Sequence, residues 1–442
     1  MSERLSSGSP PEWIRCTLGE LCRRRGGSIQ TGPFGSELHA EDYKDEGTPI
    51  ITVEHLREGK ILHDDLPLVG KSDSARLGRY SLSEGDLVFS RVGAIDRCAF
   101  VTELEHGWLF SGRCLRVRPS NGDVNPKFLA YSLNSWQKRR WIRNHSVGST
   151  MACLNTSIIS AVPIDLPSGP EQYRIAEILS TLDETIEQTE MVIAKYQQMK
   201  AGLMQDLFTR GVTPDGRLRP TCAQALHLYK ESPLGWIPRE WDVQPLSELA
   251  QINRGKFSVR PRNDPRYYDG PYPFIQTGDV ALSGGRLLFA SCQSLNAKGL
   301  AVSRLFERGT IMVTIAANIA DTCTLGVPMC APDSLVGIKP YRDELTQFIE
   351  LCIRRRKHWF ESRAPQTAQK NINLSDLRPM LVPVPTEQEI GHIVQAFDSL
   401  ERSTEANESQ LNKLRQLKLG LMHDLLTARV RVKATESEEV PA

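Results

Sequence analysis

From Ile175 onward, apolar residues recur at alternating steps of four and three. The series is Ile175, Leu179, Leu182, Ile186, Thr189, Ile193, Tyr196, Lys200, Leu203 and Leu207. A second series runs Ile390, Ile393, Phe397, Leu400, Thr404, Asn407, Leu411, Leu414, Lys418, Leu421 and Leu425. This is the a/d seam of a helix that pairs with another helix, kept up for about five heptads. About 38 residues at 1.5 Å each make a rod on the order of 57 Å, long enough to set a distance between whatever it joins. Each helix is entered through Pro and Glu-Gln ("SGPEQ", "PTEQE"), with Ser168 or Thr386 as the cap and acids in the first turn. Both carry a Thr six residues after an Asp (Asp183, Asp398) and a Lys two residues before a Gly (Gly202, Gly420). Polar groups at matching seam positions predict that the two helices pair with each other in one alignment. Long heptad helices are commonly plain scaffolds or dimer seams. Here Ile178, Met191, Met199, Met204, Val394, Leu417, Leu419, Met422 and Leu426 lie off the seam. That broader apolar face predicts further helices docking from partner chains.

The helices end on one repeated phrase, "GLMQDLFTR" from Gly202 and "GLMHDLLTA" from Gly420. Four more matches follow in the same order. "PPEWIRCTLGEL", ending at Leu21, answers "PREWDVQPLSEL", ending at Leu249. "EGDLVFSRVGA" from Glu84 answers "RGTIMVTIAAN" from Arg308. "GSTMACLNTSIISAVPIDLP" from Gly148 answers "PQTAQKNINLSDLRPMLVPVP" from Pro365, and "EQYRIAEILSTLDE" from Glu171 answers "EQEIGHIVQAFDSLE" from Glu387. The chain is thus two copies of one unit. Blocks 12–165 and 236–383 hold short β-rich runs between Gly- and Pro-containing turns ("TPIITV", "DLVFS", "CLRVRP"; "YPFIQT", "TIMVTIA", "LVGIKP"). Each reads as a compact α+β or mainly β domain with long loops, which is where recognition sits.

Composition changes this picture little. The 442 residues carry a formal net charge of +1, so any nucleic-acid surface must be local. Ten cysteines occur without a C-x-x-C pair, as expected of scattered buried thiols in a reducing cytosol. The N-terminus has no apolar leader and no run is long enough for a bilayer, so a cytoplasmic protein is expected. No metal site and no catalytic site is legible. "VGKSDS" at Val69 lacks the first P-loop glycine, with Asp65 in its place. "NPKF" at Asn125 is not an amino-methyltransferase motif, and "PDSLVGIK" from Pro332 lacks a second nuclease acid. The expectation is a binder without an active site or cofactor of its own.

Late in each block comes a basic, aromatic segment, "SWQKRRWIRNHS" from Ser135 and "CIRRRKHWFESR" from Cys352. Most charge runs are solvated helix faces. Recurrence at the same place in both copies points instead to phosphate contact. Lys138, Arg139, Arg140, Arg355, Arg356 and Lys357 are the candidate phosphate ligands. Thr31, Ser36, Arg91, Ser149 and Thr150 in the first block are the candidates for base contact, with Lys256, Thr314, Asn318, Thr367 and Gln369 in the second.

The chain resembles the DNA-specificity subunit of type I restriction-modification systems. The resemblance is carried by "GWIPREWDVQPLSELA", "IQTGPFGSELHAEDY", "EGDLVFSRVG", "NINLSDLRPMLVPVPTEQE" and both helix phrases, and it covers nearly the whole chain. It implies an α+β chain of two tandem target recognition domains, with the two long helices pairing as an antiparallel coiled coil. The divisions are domain 1 at 1–169, central spacer helix 170–211, linker 212–234, domain 2 at 235–385, distal spacer helix 386–431 and a disordered tail 432–442. It further implies double-stranded DNA with a split target, two modification subunits with S-adenosylmethionine, and two restriction subunits using ATP and Mg. One departure is "FIQTGDV" at Phe274, standing where the first block has "TGPFGS". Two rival readings are a coiled-coil adaptor that holds two protein-binding domains without touching DNA, and a DNA-modifying enzyme acting alone.

Overall fold

The computed structural model describes residues 13–23, 27–34, 37–120, 122, 124–147, 153–316, 318–363 and 372–432. The chain divides into two compact units, Met1–Met191 with Ser409–Ala442, and Val192–Glu408. The tail from residue 433 lies outside the described residues.

The first unit is built on a sheet in the order Ser28–Thr31, Cys114–Arg118, Leu87–Ser90, Cys98–Phe100, every joint antiparallel. A second sheet orders Tyr43–Lys44, Leu68–Val69, Thr48–Ile51, Leu109–Phe110 and ends on a parallel joint. The second unit repeats this plan. Its main sheet orders Ala250–Arg254, Leu335–Pro340, Ile311–Thr314, Thr322–Leu325, Leu287–Leu288. Its second sheet orders Gln293–Leu295, Tyr268–Phe274, Met329–Ala331, Arg304–Phe306, with a parallel joint at Phe274 and Cys330. Near-continuous apolar strands such as Leu87–Ser90 and Ile311–Thr314 are buried throughout. They lie mid-sheet between two layers, with Leu87, Phe89, Ile311 and Val313 toward helices and Val88 and Met312 toward the unit's second sheet, which is why they do not alternate. In each unit a two-stranded clasp joins the first strand of the domain to the strand that leads into a long helix: Ile14–Thr17 with Pro163–Leu166, and Asp242–Pro245 with Leu381–Val384. The expected mixed α+β class holds.

The first long helix is Gly169–Thr209 and the second is Glu387–Leu426. Thr386 caps the second through the Glu389 amide. At Ser168 the backbone carbonyl, not the hydroxyl, takes the Gln172 amide. Each unit holds the start of one helix and the end of the other, running antiparallel. In the first unit Lys418 meets Asp183 and Arg415 meets Glu190 at 2.7 Å. In the second, Lys200 meets Glu401 at 2.6 Å. The repeated phrases are helix ends that enter a domain core. Leu207 and Phe208 join the core around Trp241 and Phe348, and Leu425 joins that around Phe128 and Ile175. A buried leucine of this kind contributes about 1.5–3 kcal/mol.

These contacts correct the register read from sequence. Glu171 and Glu389, Asp183 and Glu401, Lys200 and Lys418, and Gly202 and Gly420 all lie 218 residues apart. The partner of Asp183 in the repeat is therefore Glu401, not Asp398, and that of Thr189 is Asn407, not Thr404. The slip is three residues, a seam step that leaves the apolar pattern almost unchanged. Nor do the threonines set the alignment. The hydroxyls of Thr189 and Thr404 turn back to the carbonyls of Thr185 and Leu400 in their own helices, at 2.7 and 2.9 Å. The lysine–carboxylate pairs set it.

One carboxylate near the start of each helix ties these parts together. Glu389 accepts the Trp241 indole N–H at 2.9 Å, the Val212 amide at 2.8 Å and both guanidinium nitrogens of Arg219. Val212 and Arg219 follow the end of the other helix. Gly211, between them and that helix, has φ +62°, and a Cβ there would lie 2.1 Å from Glu389 Oε1. The segment 212–234 is thus anchored rather than loose. Glu171 repeats the arrangement with Trp13 at 3.3 Å and Arg431 at 2.7 and 3.0 Å.

Arg219 is buried, with 7% of its side chain exposed, whereas Arg431 keeps 40%. Glu389→Gln leaves the buried Arg219 guanidinium with only the exposed Glu240 carboxylate, at 2.9 Å, and is expected to cost about 3 kcal/mol, the low end for breaking a buried pair. Glu171→Gln costs less, because water reaches Arg431. Urea unfolding followed by tryptophan fluorescence tests this; equal losses for the two variants would contradict it.

Candidate nucleic-acid interface

At one end of the first unit's main sheet three turns meet. The chain leaves Thr31 through Gly32-Pro33-Phe34, leaves Ser90 through Arg91, and enters Cys114 from Ser111-Gly112-Arg113. The Gly32 amide donates to the Cys114 carbonyl at 3.1 Å, and the Arg91 amide to that of Arg113 at 2.8 Å. A Cβ on Gly32 would lie 2.1 Å from the Ser111 oxygen, so the backbones touch and only glycine fits. The Arg91 guanidinium lies 4.5 Å from the Phe34 ring centre and reaches the Gly112 carbonyl at 3.4 Å. Phe34 is half exposed. Together they border an open cleft of about 770 Å³ that Glu54, His55, Asp64 and Arg113 also line. A guanidinium held on a ring keeps a planar donor edge for a base or phosphate.

The second unit builds the same junction with other side chains. The Gly255 amide donates to the Leu335 carbonyl at 2.8 Å, the Ile315 amide to that of Ser334 at 3.1 Å, and a Cβ on Gly255 would lie 2.1 Å from the Pro332 oxygen. The counterpart of Gly32-Pro33-Phe34 is therefore Gly255-Lys256-Phe257, not "FIQTGDV". The latter matches Ile50-Ile51-Thr52-Val53 instead. Both follow a strand with a parallel neighbour, and both open a short helix whose third residue, His55 or Asp279, closes a capping box. Arg91 corresponds to Ile315, which is buried. Phe257 is buried too, 5.0 Å from Phe274.

The residues expected to contact DNA divide accordingly. Arg91 and half-buried Thr31 sit at the first junction, exposed Lys256 sits at the second, and exposed Asn318 lies in the turn after Ile311–Thr314. Thr314 is fully buried and gives its hydroxyl to the Asn318 carbonyl, so it braces that turn and presents no group to a ligand. Ser36, Ser149, Thr150, Thr367 and Gln369 lie outside the described residues. The described ends next to them adjoin the junctions: the Leu154 amide donates to the Arg91 carbonyl and that of Ile372 to Ile315.

The basic segments divide: Arg140 and Arg355 are exposed, and Lys138, Arg139 and Lys357 are paired with acids. Lys138 pairs with Asp165 at 3.0 Å and Arg139 with Asp96 at 2.8 Å and with Glu58. Lys357 pairs with Asp321 at 2.5 Å. Arg355 lies over Phe208 at 5.7 Å and Arg356 over Trp359 at 5.9 Å. Arg140 is exposed, over Trp136 at 5.1 Å. The acids that neutralise these cations come from distant stretches of chain, so the sequence read the run as free charge. Sequence reasoning missed the exposed Arg254, Arg260, Arg262 and Arg304 near Lys256. Its signal was there: "NRGKFSVRPRNDPR" from Asn253 holds five cations and one acid.

A family model described as the type I restriction modification DNA specificity domain matches residues 10–195 and 238–416. A chain of Methanocaldococcus jannaschii described as the specificity subunit of type I restriction enzyme MjaX is 24% identical over 404 residues, 90% of each chain. The type I restriction enzyme HindI specificity subunit of Haemophilus influenzae is 19% identical over 474 residues, 95% of this chain and 100% of that one. The solved S subunit of a type I restriction-modification system from M. genitalium shares the fold, with TM-score 0.59, 15% identity and coverage of 96% and 97%.

A buried acid, Glu350, stands two residues before the second basic segment. Glu350 accepts the Thr322 hydroxyl and lies 3.7 Å from Arg354. Burial pushes its carboxyl from 4.5 up to about 7, with Arg354 pulling partly back. Between these values the unfolded chain has lost a proton that the folded chain keeps, so stability falls as pH rises through the window and is level above it. Glu350→Gln is expected to flatten that slope and to leave the second unit more stable than the parent at about pH 8, by roughly 1–3 kcal/mol. Thermal unfolding across pH measures this; a less stable variant at the alkaline end would mean that the Arg354 pair outweighs burial.

Proposed function

Because the chain belongs to the type I restriction-modification DNA specificity family, whose members are non-catalytic DNA-recognition subunits, we propose that its two units read the two halves of a split duplex target. The observation that carries this reading is the pair of junctions. One backbone frame, fixed by Gly32 in one unit and Gly255 in the other, presents Arg91 on Phe34 in the first and Lys256 with neighbouring arginines in the second. Equal frames with unequal side chains suit two different half-sites. Thr31, Arg91, Lys256 and Asn318 are the described candidates for contact, with Arg140 as a phosphate ligand. Ser36, Ser149, Thr150, Thr367 and Gln369 remain candidates from sequence.

The same reading assigns the partners. Two modification subunits with S-adenosylmethionine methylate adenine, and two restriction subunits use ATP and Mg; the complex works in the cytoplasm. No described helix is long and apolar enough to cross a membrane. Off-seam Met191 and Leu419 stay 72% and 70% exposed, and they support a modification-subunit surface on the long helices. Ile178, Met204, Val394, Met422 and Leu426 pack into the cores instead.

Spacing between half-sites is then set by the paired helices. Since lysine–carboxylate pairs lock their alignment in both units, a heptad must be added to both helices to lengthen the pair; added to one alone, it breaks an ion-pair register. Co-expression with a modification subunit and genome-wide mapping of methyladenine tests these points. The expected motif is two short halves around a fixed gap. A heptad in both helices changes the gap and neither half, while Arg91→Ala relaxes one position of one half, a loss of about 1–3 kcal/mol in discrimination. A continuous motif, or altered halves in the heptad variant, would rule the reading out.

A further inference from the structure

The two junctions differ most in charge. Between the first unit's Ser28–Thr31 and Thr48–Ile51 strands the chain carries Glu37, Glu41, Asp42, Asp45 and Glu46 against Lys44, with Arg79 paired to Glu37 and Arg76 to Asp42 from the helices that follow. Glu54, Asp64 and Asp65 line the cleft beside it. The equivalent stretch of the second unit, between Ala250–Arg254 and Tyr268–Phe274, carries Lys256, Arg260, Arg262 and Arg266 against Asp264. Arg254 and Arg304 add to it from the adjoining strands.

These cations form an organised group. Arg304 donates to the Arg254 carbonyl at 2.6 Å, and Arg254 Nε to the Asp333 carbonyl at 2.6 Å. Arg262 reaches the Asp333 carboxylate at 2.6 Å and Arg260 lies 3.9 Å from it, while also donating to the Phe257 and Val259 carbonyls at 3.0 and 2.7 Å. Two guanidiniums thus share one carboxylate. The side chains of Arg260 and Arg262 are about half exposed. Lys256 is exposed and pairs with no carboxylate among the described residues. A fixed, exposed excess of cations beside a recognition junction fits the closely spaced phosphates of a duplex backbone.

Resting on the DNA-recognition reading above, we propose that the two units hold DNA by different means. The arginine group around Asp333 in the second unit is the phosphate clamp that carries most of the salt-dependent affinity. The first unit contributes chiefly through directed contacts such as that of Arg91.

The test is fluorescence anisotropy of the full chain on a labelled mixed-sequence duplex, with salt varied from about 50 to about 200 mM. Each phosphate contact adds about 0.9 to the slope of log affinity against log salt. The triple variant Arg260→Gln/Arg262→Gln/Arg304→Gln is expected to lower the slope by roughly 2–3. The charge-keeping set Arg260→Lys/Arg262→Lys/Arg304→Lys retains it. Arg91→Gln/Arg113→Gln in the first unit lowers it by about 1 or less. An unchanged slope in the glutamine triple overturns the proposal while leaving DNA recognition standing. So does a first-unit loss as large as that of the triple. A parent chain with no salt-dependent binding to any duplex overturns DNA recognition itself. Loss of slope in the lysine set would place the effect in the local fold rather than in charge, and also overturns the clamp.

Discussion

A carboxylate in the first turn of each long helix is the constraint on which everything else rests. Glu389 and Glu171 each take an indole N–H from the residue just before a clasp strand and a guanidinium from beyond the end of the opposite helix. One acid thereby fixes three things together: where the domain clasp begins, where one helix starts and where the other stops. The helix dipole favours the negative charge at that place. The indole and the arginine give it the partners that burial demands. Between those ends, Lys418 with Asp183, Arg415 with Glu190 and Lys200 with Glu401 hold the alignment of the seam.

The sequence showed what is periodic and local. Seam residues such as Ile175, Leu179, Ile393 and Phe397 are buried as expected, because a heptad pattern reports directly on the face a helix hides. The twofold repeat was legible because Trp13 and Trp241, Gly202 and Gly420 hold matching structural posts. It was hard to place the register within the repeat, since Asp183 aligns by letter with Asp398 but by position with Glu401. Letters cannot separate two acids one seam step apart; the lysine across the seam does.

The candidate interface was partly legible for the same reason. Lys256 stands beside Gly255 and Arg91 two residues before Gly93, which is visible in the letters. Thr314 looked polar and available, yet the end of a central strand buries it. Lys138, Arg139 and Lys357 looked like free charge, yet Asp165, Asp96 and Asp321 arrive from elsewhere in the chain. Burial and pairing of charges are long-range facts. The arginines around Asp333 were legible as composition but not as a group, because Arg304 reaches the Arg254 carbonyl from the other sheet.

The glycine junction bears on how such a chain changes over time. At Gly32 and Gly255 the backbones touch, so any side chain there pushes into a carbonyl oxygen of the neighbouring turn. One position further on, proline stands in one unit and lysine in the other, on the same frame. Mutation is therefore channelled: alleles that alter the glycine are lost with the fold, while alleles at its neighbours survive folding and are sorted by what they bind. New preferences can accumulate in one unit by single steps while the other keeps its own.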